Sequence, residues 1–258
     1  MASIIPIPAF ADNYIWLLRQ AGKAAVVDPG DAAPVIAYLE RERLELTSIL
    51  NTHHHGDHVG GNRALLARWP VPVFGPAREA IPGVTRTLVE GETLTLPDIG
   101  LVLSVLDVPG HTAGHIACFG RLEASPLVFC GDTLFTGGCG RLFEGTPAQM
   151  VDSLFKLAAL PVETLVYCGH EYTMANLRFA QAVEPDNVPL RQRQAREQAR
   201  RDRGEATVPS SMSEELATNP FLRVGEPAVR ATAERHAGRA LADRVAVFAA
   251  VRAWKNAF

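Results

Sequence analysis

An α+β fold is predicted, with stacked sheets, helices outside them and a helical C-terminal region. Three observations predict it. Residues 1–170 hold many short runs rich in β-branched and aromatic residues, punctuated by Pro and Gly. Stretches with helical spacing intervene between some of these runs, so strands occur both consecutively and alternating with helices. After His170 helical composition takes over and strand signals almost stop.

Taken in order, the strand signals are "NYIWLL", "AAVVD", "LTSILNTH", "VPVFG", "GLVLSVLDVPG", "HIACFG", "PLVFCGDTLF" and "TLVYCGH". The first helix is expected in "DAAPVIAYLERERL", after the "DPGD" turn, and a second in "HVGGNRALLARW". A third is expected in "TPAQMVDSLFKLAAL", with Thr146 as N-cap and Pro147 at the first helical position, where a missing N–H costs nothing. "EYTMANLRFAQAVE", "VPLRQRQAREQARRDRG" and the last 33 residues carry helical patterns to the end. A domain boundary is therefore expected near 170, giving residues 1–170 and 171–258. In the run 191–203, six arginines are interrupted by Glu197 and Asp202, which reads as a solvated helix face.

The 258 residues are 47% hydrophobic, ample for a sizeable core, and the formal net charge is −3. That balance gives no sign of a nucleic-acid partner or an anionic membrane surface. No apolar run reaches the ~20 residues of a spanning helix. The start, "MASIIPIPAFADNYIWLL", has neither a basic opening nor a small-residue cleavage site, so a cytoplasmic protein is expected. Cys118, Cys130, Cys139 and Cys168 form no C-x-x-C pair and read as free thiols packed in strands.

The stretch "NTHHHGDHVGGN" carries the chemistry. It sets His53, His54, His55, Asp57 and His58 in a loop between a strand and a helix. Neutral imidazole and carboxylate oxygen together suit Zn, Mn or Fe. In extended chain His53 and His55 point one way and His54 the other, and Gly56 lets the chain turn before Asp57 and His58. His111, Asp132 and His170 each stand just past another strand with Gly beside them. Five His and two Asp thus converge from four strand ends, enough for two neighbouring metal positions. His236 reads as exposed, His115 as a packing or supporting group, and Asp28 as either a turn residue or a carboxylate that orients a ligand His.

"THHHGDH" fits the T-H-x-H-x-D-H pattern of the metallo-β-lactamase superfamily, and "PGHTAGH", "CGDTLF" and "CGHEYT" resemble its later motifs. The segments "IPAFADNYIWLL", "GGCGRLFEGTPAQM", "CGHEYTMANLRFA" and "TNPFLR" resemble one member family, glyoxalase II or hydroxyacylglutathione hydrolase. This resemblance implies an αββα sandwich as the catalytic domain, residues 1–170, and a small helical substrate-binding domain, residues 171–258. It implies His53, His55 and His111 on one divalent ion, Asp57, His58 and His170 on a second, and Asp132 on both. Zinc is the first expectation, with Fe or Mn acceptable. The reaction implied is attack of a metal-bridging hydroxide, oriented by Asp57 or Asp132, on the thioester of S-D-lactoylglutathione. The products are glutathione and D-lactate, the second step of methylglyoxal detoxification.

The same resemblance assigns glutathione contacts to Arg141, Phe143, Tyr172, Arg252 and Lys255. Some members carry Lys and Tyr where this chain has Arg141 and Phe143. A monomer with a small-molecule partner is expected. A lactonase-like hydrolase, a glutathione persulfide dioxygenase and a metal-binding module without catalysis are the competing expectations. Metal content and thioester turnover on one sample separate them.

Overall fold

The structure is a computed structural model and describes residues 2–258. The chain runs through β1 (Ser3–Ala9), β2 (Asn13–Gln20), β3 (Lys23–Val27), α1 (Ala32–Glu42), β4 (Glu45–Leu50), α2 (Gly56–Val59), α3 (Asn62–Arg68), β5 (Val73–Pro76) and β6 (Arg86–Leu88). It continues with β7 (Thr93–Leu96), β8 (Leu101–Asp107), β9 (Ile116–Leu122), β10 (Ser125–Gly131), β11 (Leu134–Phe135), β12 (Gly138–Cys139), α4 (Pro147–Ala158) and β13 (Leu165–Cys168). Last come α5 (Thr173–Val183), α6 (Val188–Asp202), β14 (Ser210–Ser211), α7 (Met212–Thr218), α8 (Pro227–Ala237) and α9 (Arg244–Ala257). They fall into two compact units. The first holds residues 1–107, 112–131 and 167–170; the second holds 108–111, 132–166 and 171–258.

In the first unit, one sheet has the order β1-β2-β3-β4-β5-β6. Its β1, β2 and β3 are antiparallel, while β3 to β6 run parallel. The other sheet runs β13-β10-β9-β8-β7 within this unit. Helices α1 and α3 cover one face of the first sheet, where Val35, Leu39 and Leu65 join Ile15, Leu17, Val26, Leu46 and Ile49 in a buried cluster. Alternation sends Trp16 of β2 to the opposite face. There it meets Tyr167 of β13 edge-on at 4.8 Å and donates its indole N–H to Cys168 O at 2.9 Å. The two sheets are thereby stacked, as expected from the strand pattern.

The expected single helix in "HVGGNRALLARW" is two short ones, α2 and α3, broken at Gly60–Gly61. The break is steric. A Cβ on Gly61 would lie 2.5 Å from Pro29 O, and the Gly61 N–H donates to that same carbonyl at 2.8 Å. α4 starts where expected: Thr146 and Gln149 form a reciprocal capping box ahead of Pro147.

The second unit has a core of Leu177, Ala180 and Leu190. Beside it Phe179, Phe221, Phe248 and Trp254 make successive ring contacts. The arginine-rich stretch forms α6, but not as a wholly solvated face: Arg193 is buried against Glu215 at 2.5 Å, with Glu197 also buried. α7, β14 and the short strands β6, β7 and β12 have no counterpart among the elements expected from sequence. All four cysteines are thiols buried in strands. Burial pushes the Cys118 thiol up to about 12 and that of Cys139 up to about 11, so both are inert near neutrality.

Candidate metal centre

β4 ends at Leu50, and Asn51 anchors the loop 52–58. Its amide donates to His58 O at 2.9 Å, and its Oδ1 accepts from Asn62 Nδ2 at 2.8 Å. The loop is thereby folded back on α2. His53 Nε2 and His55 Nδ1 face each other at 3.1 Å. His54 turns away and pairs with Glu79 Oε2 at 3.0 Å. The alternation expected along this run holds.

Asp57, His58 and His170 bring ligand atoms within 4.8 Å of one another. Asp57 Oδ2 lies 3.6 Å from His58 Nε2 and 3.4 Å from His170 Nε2. The opposite ring nitrogens are occupied: His58 Nδ1 meets Asp28 Oδ2 at 3.2 Å, and His170 Nδ1 meets Asp12 Oδ1 at 2.8 Å. A carboxylate accepts only, so Asp28 and Asp12 favour a proton on Nδ1, and an ion held at the other side of each ring would take the Nε2 lone pair. Nε2 of both rings faces one carboxylate oxygen, so a proton or a cation must lie between them. In the second unit His111 obeys the same rule. Its Nδ1 donates to Arg141 O at 2.9 Å, and its Nε2 lies 3.4 Å from Asp132 Oδ2.

The donor set fits a divalent ion. Tetrahedral zinc with bonds of ~2.0–2.1 Å holds its ligand atoms roughly 3.3–3.4 Å apart, close to the separations of 3.1, 3.4 and 3.6 Å observed here. No thiolate takes part, which leaves Zn, Fe and Mn as suitable ions.

Several supporting residues were invisible or ambiguous in the sequence. Asp28 is no ordinary turn residue. It sits at φ +52° and accepts from Thr52 N and Thr52 Oγ1, both at 2.7 Å, and Thr52 Oγ1 lies 3.1 Å from His53 Nδ1. One carboxylate thus braces His58 directly and His53 through a hydroxyl. Asp12 was missed, as was Asn13, whose amide donates to Asp57 Oδ2 at 3.0 Å. The only available signal was an Asp-Asn pair at the β1–β2 turn, indistinguishable from ordinary turn chemistry. His115 is fully buried and stacks on His53 at 4.6 Å, a packing role as expected, whereas His236 is exposed and stacks on Trp254.

The residues expected to contact substrate lie in the second unit. Arg141 and Phe143 are exposed, with Phe143 edge-on to His111 at 5.2 Å. Tyr172 meets Phe135 edge-on at 5.2 Å. Arg252 is buried, donating from Nη1 to Cys139 O at 2.8 Å and lying 5.0 Å over the Phe221 ring. Lys255 donates to Ala175 O at 3.3 Å. Burial, then the neighbouring charges of Arg252, Arg178 and Arg141, lowers its pKa from the usual 10.5. Arg252, Arg178 and Arg141 each act on the Lys255 charge after burial has, and cations so grouped favour an anion.

The stacked sheets and the His/Asp groups at their strand ends define the class: residues 10–170 match the Metallo-beta-lactamase superfamily, and residues 171–258 match the Hydroxyacylglutathione hydrolase C-terminus family. Over 258 residues the chain is 62% identical to hydroxyacylglutathione hydrolase of Alkalilimnicola ehrlichii, with 99% of each chain covered. It therefore belongs to the hydroxyacylglutathione hydrolase family. Among solved structures, ETHE1 from Myxococcus xanthus matches with TM-score 0.64 and 26% identity, over 100% of this chain and 99% of that one. TTHA1623 in a di-iron-bound form matches with TM-score 0.54 and 31% identity, over 64% of this chain and 91% of that one.

Proposed function

We propose that this chain hydrolyses the thioester of S-(2-hydroxyacyl)glutathione, S-D-lactoylglutathione in particular, to glutathione and the 2-hydroxy acid. The observation that carries this reading is the cation cluster of Arg141, Arg178, Arg252 and Lys255 in a chain that also carries a nitrogen-and-oxygen metal donor set. Glutathione brings two carboxylates to such a cluster, whereas a β-lactam brings one and a neutral lactone none.

In this reading His53, His55 and His111 would hold one ion, Asp57, His58 and His170 would hold another, and Asp132 would serve both. Divalent ions bound there lower the pKa of water towards ~7 and polarise the carbonyl. The chain's own groups do the rest. Asp28 and Asp12 keep the Nδ1 protons of His58 and His170 away from the reacting face. Asp57 is the more exposed carboxylate, and its Oδ2 is steadied by Asn13. It orients the nucleophilic water and holds its proton, with Asp132 as the second such carboxylate. The leaving group departs as a thiolate, which needs no strong general acid because thiols ionise near ~8.5. Residues 171–258 form the substrate-binding part. Arg252 and Lys255 receive carboxylate charge, Arg141 adds to it, and Phe143 and Tyr172 flank the substrate with aromatic surface. Phe143 has no hydroxyl to offer, so its contribution is apolar.

Hydrolysis of S-D-lactoylglutathione by the purified protein, with metal analysis on the same sample, tests this. The expected result is turnover with close to two ions per chain. Activity on lactones or β-lactams without thioester turnover would overturn it.

A further inference from the structure

Two sequence motifs, "GGCGRLFEG" and "TNPFLR", meet in the second unit, and the first of them also reaches His111 through the Arg141 carbonyl. The hairpin of β11 and β12 is only two residues per strand, pairing Leu134 with Cys139 and Phe135 with Gly138. So short a hairpin is not stable on its own backbone bonds. Buried side chains hold four of the polar backbone groups along it. Asn219 Nδ2 donates to Gly138 O at 2.9 Å and Phe135 O at 3.2 Å. Asn176 Nδ2 donates to Thr136 O at 3.1 Å. Glu215 Oε2 accepts from the Gly137 N–H at 2.8 Å and from Asn219 Nδ2 at 2.9 Å. Its other oxygen accepts from Arg193 Nη2 at 2.5 Å and Ser210 Oγ at 2.7 Å. Glu215 and Asn219 are both fully buried.

A buried carboxylate with four donors is costly to place, and it fixes geometry tightly once satisfied. What it fixes here is the chain that leaves the hairpin. Cys139 O is the acceptor that seats Arg252, and Arg141, two residues on, carries both a substrate-side cation and the carbonyl that orients His111.

We propose that Glu215 and Asn219 are positioning residues for glutathione recognition: through the 135–139 hairpin they set where Arg252 and Arg141 present their charge. This rests on the functional reading above. Neither residue touches substrate, so their loss acts on substrate binding through the two arginines.

The test uses Asn219→Ala, which keeps the Arg193–Glu215 pair intact, and Asn219→Ser, which restores one donor. Both are assayed on S-D-lactoylglutathione and on a short acetyl thioester lacking the glutathione carboxylates, with metal content and melting temperature on the same samples. For Asn219→Ala the expected result is KM for the glutathione thioester raised about tenfold with kcat within about twofold. Metal content and turnover of the short thioester stay close to wild type, and Asn219→Ser falls between the two. A lowered melting temperature with KM unchanged in both variants would reduce the network to scaffolding and overturn the proposal. Equal losses on both thioesters would overturn it as well. A wild-type protein inactive on the glutathione thioester would instead remove the functional reading itself.

Discussion

At the scale of single residues, the centre depends on which ring nitrogen is kept busy. Asp28 occupies His58 Nδ1 and, through the Thr52 hydroxyl, steadies His53. Removing such a supporting carboxylate costs about 10–100-fold in metal affinity. Asp28→Ala should show that loss in a competition titration against a chelator. Asp31→Ala, three positions on, removes only the N-cap of α1, whose Oδ1 accepts from Ala33 N at 2.9 Å. It should cost about 1 kcal/mol of stability and leave metal affinity alone. Lys255 supplies a second residue-level test. Its pKa is lowered, first by burial and then by Arg252, Arg178 and Arg141, so it loses its charge at a pH below the usual lysine value of 10.5. KM for a glutathione thioester should therefore climb with alkaline pH, and Lys255→Arg should flatten that climb. An identical pH profile for the two proteins would show that Lys255 carries none of the recognition.

At the scale of elements, the strand ends were legible and the braces behind them were not. Strand propensity and the periodic switch after His170 located β2 to β5, β8 to β10 and β13, together with α1 and α4 to α6. The ligand-type residues could be found because each comes just after an apolar strand. Asp12, Asn13, Asn51 and Glu79 could not, because an isolated polar turn residue looks the same whether or not it bonds to something distant in sequence. The break between α2 and α3 was hidden for a related reason. "GG" lowers helix propensity but does not show that other backbone comes within contact of it. That close approach is testable. A Cβ on Gly30 would lie 1.8 Å from Asp57 O, so Gly30→Ala must push the ligand-bearing α2 turn outward. Gly56, in the same turn, meets nothing within 4 Å. Gly30→Ala should lose metal and lower the melting temperature, whereas Gly56→Ala should retain metal and stay within about 0.5 kcal/mol of wild-type stability. Equivalent behaviour of the two would refute the close-packing account of the turn.

For the whole molecule, the question is what the folded state gains from its ions. Ligand-type groups gathered without a cation oppose folding: Asp57 Oδ2 stands 3.6 and 3.4 Å from Nε2 of His58 and His170, both rings being buried. An ion that binds the folded chain and not the unfolded one adds RT ln(1 + [M]/Kd), about 4 kcal/mol at a thousandfold excess over Kd. In a chain of this size each kcal/mol moves the melting temperature by roughly 2–4 °C. Full chelation should therefore lower the melting temperature by about 8–16 °C per ion held at that excess. Adding back Zn, Mn or Fe(II) should restore it, with the size of the recovery ranking the ions. Asp132→Ala should start from a lower melting temperature and respond less to chelator, since a ligand proposed to serve both ions is gone. The far-ultraviolet spectrum should hardly change on chelation, because the sheets are held by buried contacts such as Trp16 on Tyr167 and Cys168, not by the ions. A protein shown by metal analysis to be stripped, yet melting where the loaded one melts, would mean that these side chains are not metal ligands in the folded state.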